Sequence, residues 1–446
     1  MKRGAVFLAF VAVLITGRAH ALTVQEVVGP KTGVKAWLVE EHSVPVIALR
    51  LAFQGGGEQD PVEKQGLASL TADALTQGAG SYDANAFQKE LVDRSISLDF
   101  AAGRDAINGG LKCLREDKEK AFFLLREALT EPRFDREALE RLEAQHRAAI
   151  RQLFADPSWQ ARYAFVSHAF KGHPYSQRLL GTLETLASIT RDDVRIFAAQ
   201  HMAKDTLTVA VAGDITPKEL ASALDTIFKD LPAHARLRPI EDIDVKEMPS
   251  PLLIAREGAQ TEILFGMQGL KRADPDYYAA EIANYILGGG GFSSRLMQAL
   301  RDEQGLTYGV ATSLAPSQHA ALIVGRLAVN NASAGEAFNA LGVTIRRFYE
   351  DGPTQAEMQA AKDYLTGSMP LALTSTDKIA DLLVAMQRED LGRDYLDRYN
   401  SLIQKVSLSD VQRIIKRFFN PAAINYVMVG DPEGVSVAQT QDVARP

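Results

Sequence analysis

The chain repeats one order of helix cap, helix, strand and Gly-Asp at two places 217 positions apart. Residues 189–214 read ITRDDVRIFAAQHMAKDTLTVAVAGD, and residues 406–431 read VSLSDVQRIIKRFFNPAAINYVMVGD. The segments align without gaps, and the identical pairs are Asp193/Asp410, Val194/Val411, Gly213/Gly430 and Asp214/Asp431. Chance can produce a few matches, but not the same order of elements twice. We therefore predict two homologous halves.

Each half carries its strand-like and helix-like segments in separate runs; residues 157–170, for example, are predicted to be a helix. This pattern favours an α+β fold in which each half is one antiparallel or mixed sheet covered on one face by helices. Residues 232–251 have no helical period and contain four prolines. Because proline interrupts helices and central strands, we predict a linker there. It separates an N-terminal domain, residues 22–231, from a C-terminal domain, residues 252–446.

Composition and the first residues restrict the compartment and the partners. Residues 1–21 have the pattern of a secretory signal peptide, with Lys2 and Arg3 before a short apolar run and a small-x-small site, Ala19-His20-Ala21. That run is too short to span a bilayer, so we expect an exported, periplasmic protein with no membrane partner. The formal net charge of −7 gives no basic surface for nucleic acid. Cys113 is the only cysteine, which excludes an internal disulfide and a thiolate metal cage; we interpret it as a packed strand residue.

A glycine-rich stretch in the second half combines a turn, a helix and a strand. Residues 288–310 read GGGGFSSRLMQALRDEQGLTYGV. We predict a loop over the glycines, a helix capped by Ser293 or Ser294, a left-handed stop at Gly305 and a strand from Thr307. The glycines do not form a phosphate loop, because no Gly-Lys-Ser/Thr follows them.

Arg301 and Tyr308 lie on either side of the predicted helix stop. Both side chains donate hydrogen bonds and one is permanently charged, so the pair can hold and polarise a backbone carbonyl. The alternative is structural. An arginine near a helix C-terminus is commonly a solvated charge, and a tyrosine that begins a strand is commonly half-buried packing.

A second feature upstream favours the functional interpretation. Residues 55–80 read GGGEQDPVEKQGLASLTADALTQGAG, which resembles the start of the pitrilysin/insulinase family of zinc peptidases, including the mitochondrial processing peptidases. That family has Gly-Leu-Ala-His-x-x-Glu-His, in which two histidines bind zinc and the glutamate acts as base. The histidine positions are Ser69 and Asp73 here, and the glutamate position is Ala72. The distal glutamate position falls at Ala149, and we interpret the nearby His146 as a lone residue on a helix surface.

The resemblance covers nearly the whole chain after the signal peptide, and it implies the fold shared by LuxS and the processing peptidases. In the family the second half supplies an arginine and a tyrosine, seven apart, that grip substrate, and Arg301 and Tyr308 match them. The resemblance therefore implies a subunit that binds no cofactor itself, with zinc in a homologous partner chain. The expected assembly is a heterodimer that cleaves peptides. Tyr308 is the expected catalytic donor, and Arg301 and Tyr308 are the expected substrate-binding residues.

Two alternatives stand beside this hypothesis. The first is a catalytically inert scaffold or binding protein of the same fold. The second is an enzyme with another nucleophile, which is disfavoured because no Gly-x-Ser-x-Gly elbow or Cys-His pair is present. His173-Pro174-Tyr175 is the other candidate for a functional site, and we interpret it as a turn that packs against the core.

Overall fold

The computed structural model describes residues 23–442, so the predicted signal peptide lies outside the described residues. Every helix and strand discussed below falls within this range. The first half contains β1 (Gln25–Val28), β2 (Lys35–Glu40), β3 (Val46–Gln54), α1 (Leu67–Ala74), α2 (Ala84–Asp93), β4 (Ser97–Ala102), β5 (Ala106–Leu114), α3 (Lys118–Thr130), α4 (Arg136–Phe154), α5 (Pro157–Ala169), α6 (Leu183–Ser188), α7 (Arg191–His201), β6 (Leu207–Gly213) and α8 (Pro217–Phe228). These strands form one mixed sheet in the order β1-β2-β6-β3-β5-β4, in which only β2 and β6 run parallel.

The second half repeats this arrangement. It contains β7 (Leu252–Ala255), β8 (Gln260–Gln268), α9 (Tyr277–Asn284), α10 (Arg295–Met297), β9 (Thr307–Pro316), β10 (Ala321–Asn330), α11 (Ala334–Asp351), α12 (Gln355–Ser368), α13 (Thr376–Arg388), α14 (Tyr395–Lys405), α15 (Leu408–Phe418), β11 (Asn425–Gly430) and β12 (Gln439–Gln441). The sheet order is β12-β7-β11-β8-β10-β9, with β7 parallel to both β11 and β12. The predicted α+β fold with two similar halves is confirmed.

The sequence repeat corresponds to equivalent elements, α7–β6 in the first half and α15–β11 in the second. Thr190 and Ser407 cap the two helices through capping boxes, and both strands end at a glycine with positive φ, Gly213 and Gly430. A Cβ on Gly213 would lie 2.1 Å from the Val46 carbonyl oxygen. Glycine recurs there because a side chain would collide with the neighbouring strand.

The two halves exchange one helix each. Helix α5 of the first half packs on β8 and β11 of the second sheet, where Phe165 lies against Gly266. Helix α13 of the second half packs on β3 and β6 of the first sheet, where Gln387 Nε2 donates to the Val209 carbonyl oxygen at 2.9 Å. Each sheet is therefore covered on one face by its own helices, as predicted, and on the other face by the exchanged helix, which was not predicted.

Ion pairs reinforce the exchange at the edge of α13. Arg50 of β3 contacts Asp377 and Asp381 at 2.7 Å each, and Lys112 of β5 contacts Asp377 at 2.6 Å. Both interacting strands belong to the first half and both carboxylates to the second. The halves are thus held together by packing and by charge.

Residues 232–251 form neither helix nor strand, and they run along the surface in contact with both halves. Arg238 N donates to Gln59 Oε1 of the first half at 2.8 Å, and Val245 N donates to Gln268 Oε1 of the second half at 2.8 Å. Within residues 23–442, no helix is long and apolar enough to cross a membrane.

Candidate functional site

We call residues 66–73 the eroded motif, because they resemble the zinc motif but lack its histidines and glutamate. The eroded motif lies on α1, which is buried along most of its length. Ser69 is 5% exposed, and its Oγ donates to the Leu179 carbonyl oxygen at 2.7 Å. Ala72 is fully buried and offers no polar atom. The hydroxyl of Ser69 is thus hydrogen-bonded to a neighbouring loop. Asp73, one turn later, is the one charged residue at the motif positions.

Asp73 is paired with His146 of α4. His146 Nε2 lies 2.6 Å from Asp73 Oδ2, and His146 is only 5% exposed. The prediction of a surface histidine is therefore wrong. His146 shares the buried stripe of α4 with Leu142 and Ile150 at a spacing of four residues, and that spacing was a signal available in the sequence.

The residues at the motif do not fit a catalytic zinc site. Such a site needs three protein ligands with a position left open for water. Here Ala149 has no ligand atom, and the side chains of Asp73 and His146 are hydrogen-bonded to each other. In the part of the chain that the structure describes, no three His, Cys, Asp or Glu side chains are grouped as metal ligands would be.

Two buried carboxylates next to α1, Glu58 and Asp60, were not predicted from the sequence. Asp60 accepts hydrogen bonds from Gly66 N and Ala68 N at 2.8 and 2.9 Å, and Glu58 accepts one from Gly56 N at 2.9 Å. Burial raises the pKa of Glu58 and the pKa of Asp60 each to about 7. These carboxylates fix the backbone that leads into α1, because they satisfy amide groups before and within its first turn.

The glycine-rich stretch of the second half is helical over more of its length than predicted, and part of it has the wider turns of a π-helix. The residues Tyr285–Gly289 and Gln298–Asp302 form π-helical turns on either side of the short α10. Ser294 stands at the helix start, but its hydroxyl donates to the Gly291 carbonyl oxygen at 2.7 Å instead of accepting from the helix. The stop at Gly305, with φ of 64°, and the strand from Thr307 are as predicted.

Arg301 lies in the second π-helical turn. Its side chain is 38% exposed, and its guanidinium carbon lies 4.6 Å from the centroid of the Phe292 ring. Its nearest carboxylate is that of Asp302, at 3.7 Å. Arg301 is thus positioned by an exposed aromatic ring and a weak ion pair, which leaves hydrogen-bond donors of the guanidinium available.

Tyr308 is 90% exposed at the start of the edge strand β9, so it does not pack against the core. It lines an open groove of about 520 Å³ together with Met297, Glu262 and Arg326. No hydrogen bond joins Tyr308 to Arg301 within residues 23–442. A phenol exposed to this degree in a groove is free to contact another molecule.

The remaining candidates are structural. Tyr175 is 1% exposed, and its hydroxyl donates to Asp105 and accepts from His319 N at 3.0 Å, so His173-Pro174-Tyr175 packs against the core as interpreted. Cys113 is 2% exposed in β5, and burial raises its pKa to about 12. A thiol with so high a pKa is not a nucleophile at neutral pH.

Two models of one protein family match successive parts of the chain. "Insulinase (Peptidase family M16)" matches residues 36–183, and "Peptidase M16 inactive domain" matches residues 188–365. The match therefore continues across both halves.

Two named relatives and one solved structure support the match to this family. "Non-peptidase homolog YmxG" of Helicobacter pylori is 28% identical over 90% of this chain and 92% of its own length. An "Uncharacterized zinc protease" of Mycobacterium leprae is 27% identical over 67% of this chain and 73% of its own length. A crystal structure described as "peptidase M16 inactive domain from Pseudomonas fluorescens" superposes with a TM-score of 0.85 at 27% identity, covering 94% of this chain and all of that one. This chain therefore belongs to the M16 (insulinase) family of peptidases, as a homologue of the inactive type.

Proposed function

We propose that this chain is the non-zinc-binding subunit of a two-chain zinc peptidase. A homologous partner with an intact His-x-x-Glu-His motif would hold the zinc, and this chain would close the chamber around the substrate peptide. The observation that supports the proposal most is a contrast within one molecule. The zinc positions carry Ser69, Ala72 and Asp73, whereas Tyr308 remains 90% exposed with Arg301 nearby in sequence.

The two side chains have different roles in this proposal. Tyr308 would donate a hydrogen bond to the carbonyl oxygen on which negative charge develops during cleavage. Removing one such donor typically lowers turnover by about 10²–10³. Arg301 would hold a neighbouring carbonyl or carboxylate of the substrate, since a guanidinium can donate two parallel hydrogen bonds.

The proposed complex is exported, because residues 1–21 have the pattern of a cleavable signal peptide. The alternative is an inert scaffold or binding protein of the same fold. It is supported by the name of the Helicobacter pylori relative, which describes a non-peptidase homologue.

Peptide cleavage by each chain alone and by the two chains mixed tests the proposal. We expect cleavage in the mixture only, where Tyr308→Phe should lower turnover and leave assembly intact. Arg301→Ala should also weaken substrate binding. Tyr364→Phe and Arg195→Ala are matched controls, because both side chains are exposed and lie outside residues 288–310.

Two results would favour the scaffold instead. One is full activity from the partner alone. The other is an active complex in which neither Tyr308→Phe nor Arg301→Ala changes the rate.

A further inference from the structure

A second pocket, which we call the aromatic pocket, lies beside the eroded motif in the first half. It has a volume of about 370 Å³ and is formed by the end of α4, by α5 and by residues 177–181. Leu179, in its wall, receives the hydrogen bond from Ser69. The aromatic pocket is thus attached directly to α1.

One wall of the pocket is a continuous series of aromatic rings. The ring centroids of Phe154 and Trp159 are 4.7 Å apart, and those of Trp159 and Tyr163 are 5.3 Å apart with an interplanar angle of 9°. All three side chains are half-buried, and Leu179 is 40% exposed. The fold therefore leaves a flat apolar surface partly open to a ligand.

The charged residues that line the pocket are all arginines. Arg104, Arg162 and Arg178 line it, and no aspartate or glutamate does. The guanidinium carbon of Arg178 lies 4.4 Å from the Tyr163 ring centroid. Neither Arg104 nor Arg162 forms a salt bridge with any residue in the described range 23–442.

The charge of Arg104 is only partly compensated inside the protein, where its guanidinium carbon lies 4.8 Å from the centroid of the Tyr175 ring. Burial lowers the pKa of Arg104, and the charge of Arg162 lowers that pKa further, while Tyr175, Asp105 and Glu58 oppose the shift. A half-buried guanidinium in this setting is stabilised by an anion that enters the pocket.

We propose that the aromatic pocket binds the C-terminal residue of a peptide. Its carboxylate would lie with Arg104 and Arg162, and an aromatic or large aliphatic side chain would lie on Trp159. Guanidinium groups match the planar geometry of carboxylates, and the volume is at the lower end for ligand pockets, so it suits one terminal residue. The choice of a peptide over another carboxylic acid rests on the proposed function.

Trp159 allows binding to be measured directly. The chain has two tryptophans, so Trp37→Phe leaves Trp159 as the reporter. We expect acetyl-Ala-Ala-Ala-Phe with a free carboxylate to change the Trp159 fluorescence saturably. The same peptide with a C-terminal amide should bind at least about tenfold more weakly, because the charge-assisted contact is lost.

Arginine variants then test the assigned residues. Arg162→Gln is the main variant, since Arg162 is exposed and its replacement leaves the core unchanged. Arg162→Gln and Arg104→Gln should each weaken binding of the free acid about tenfold. Arg151→Gln is the matched control, because Arg151 lies on α4 with the same charge but does not line the pocket, and we expect unchanged affinity.

Three results would overturn the proposal. They are equal affinity for the acid and the amide, unchanged affinity in both Arg162→Gln and Arg104→Gln, and N-acetylphenylalanine binding as tightly as the tetrapeptide. The last would show that the pocket takes aromatic acids and not peptide ends. The titration needs no partner chain, so a chain that binds the tetrapeptide but supports no cleavage would refute only the proposed function.

Discussion

The pair formed by Asp73 and His146 should stabilise the contact between α1 and α4, at the place where family members with the intact motif bind zinc. We predict that the two side chains are energetically coupled. The perturbation is a double-mutant cycle with Asp73→Ala, His146→Ala and the double variant. The cycle isolates the interaction between the two residues from the other effects of each truncation.

The structure sets the expected magnitude. Hydrogen bonds to charged groups contribute about 1.5–3 kcal/mol. The Asp73 side chain is 42% exposed and can be rehydrated, whereas the His146 side chain is 7% exposed. We therefore expect a coupling of about 1–2 kcal/mol. His146→Ala alone should cost about 2–4 kcal/mol, since it also removes a buried side chain.

Urea unfolding of the four proteins gives the coupling, with circular dichroism as the probe. The control cycle uses Lys89 and Asp93, an i,i+4 pair whose side chains are 73% and 56% exposed. Its coupling should be at most about 0.5 kcal/mol. A coupling for Asp73 and His146 no larger than this control would refute the reasoning.

Three further predictions concern metal, pH and the segment between the halves. The dialysed chain should hold no stoichiometric zinc, and one tightly bound zinc per chain in metal analysis would contradict our account of the motif. Glu58 has a pKa of about 7 in the folded protein against 4.5 as its ordinary value. The folded state then binds more protons between these values, so stability should fall as pH rises through that window, by on the order of 3 kcal/mol for Glu58. The melting temperature should fall less between pH 5 and pH 8 in Glu58→Gln than in the wild type. An equal fall in both proteins would contradict this role of Glu58. Limited proteolysis should cut first within residues 232–251, and the fragments should stay associated in gel filtration because α5 and α13 are exchanged; first cuts within residues 67–75 would be inconsistent with this fold.

Local patterns predicted the elements whose causes are local. The repeated order of cap, helix and strand was recognisable in the sequence, and its caps, Thr190 and Ser407, each accept a hydrogen bond from an amide three residues later. Gly305 was recognisable as a helix stop because glycine tolerates positive φ. The missing zinc ligands at Ser69, Ala72 and Asp73 were also visible, since a metal site depends on residue identity at fixed spacing.

The site contained more than these patterns could indicate. His146 was misplaced because one histidine on an amphipathic helix was judged without its neighbours at the same spacing. Phe292 beneath Arg301 depends on the π-helical turns, which change the direction of side chains relative to a regular helix. In the aromatic pocket, Arg104 from the turn between β4 and β5 lies beside residues of α4 and α5 that are distant in sequence.

By itself, the sequence determined that the chain has two similar halves and that neither carries a zinc motif. This was possible because duplication, helix caps, glycine stops and the spacing of metal ligands can each be recognised within a short segment of sequence. Only the tertiary structure decided which surfaces these segments cover. Helix α5 was predicted as a helix, yet nothing in residues 157–170 shows that it packs on the other half's sheet, because an apolar face specifies burial but not the partner that buries it.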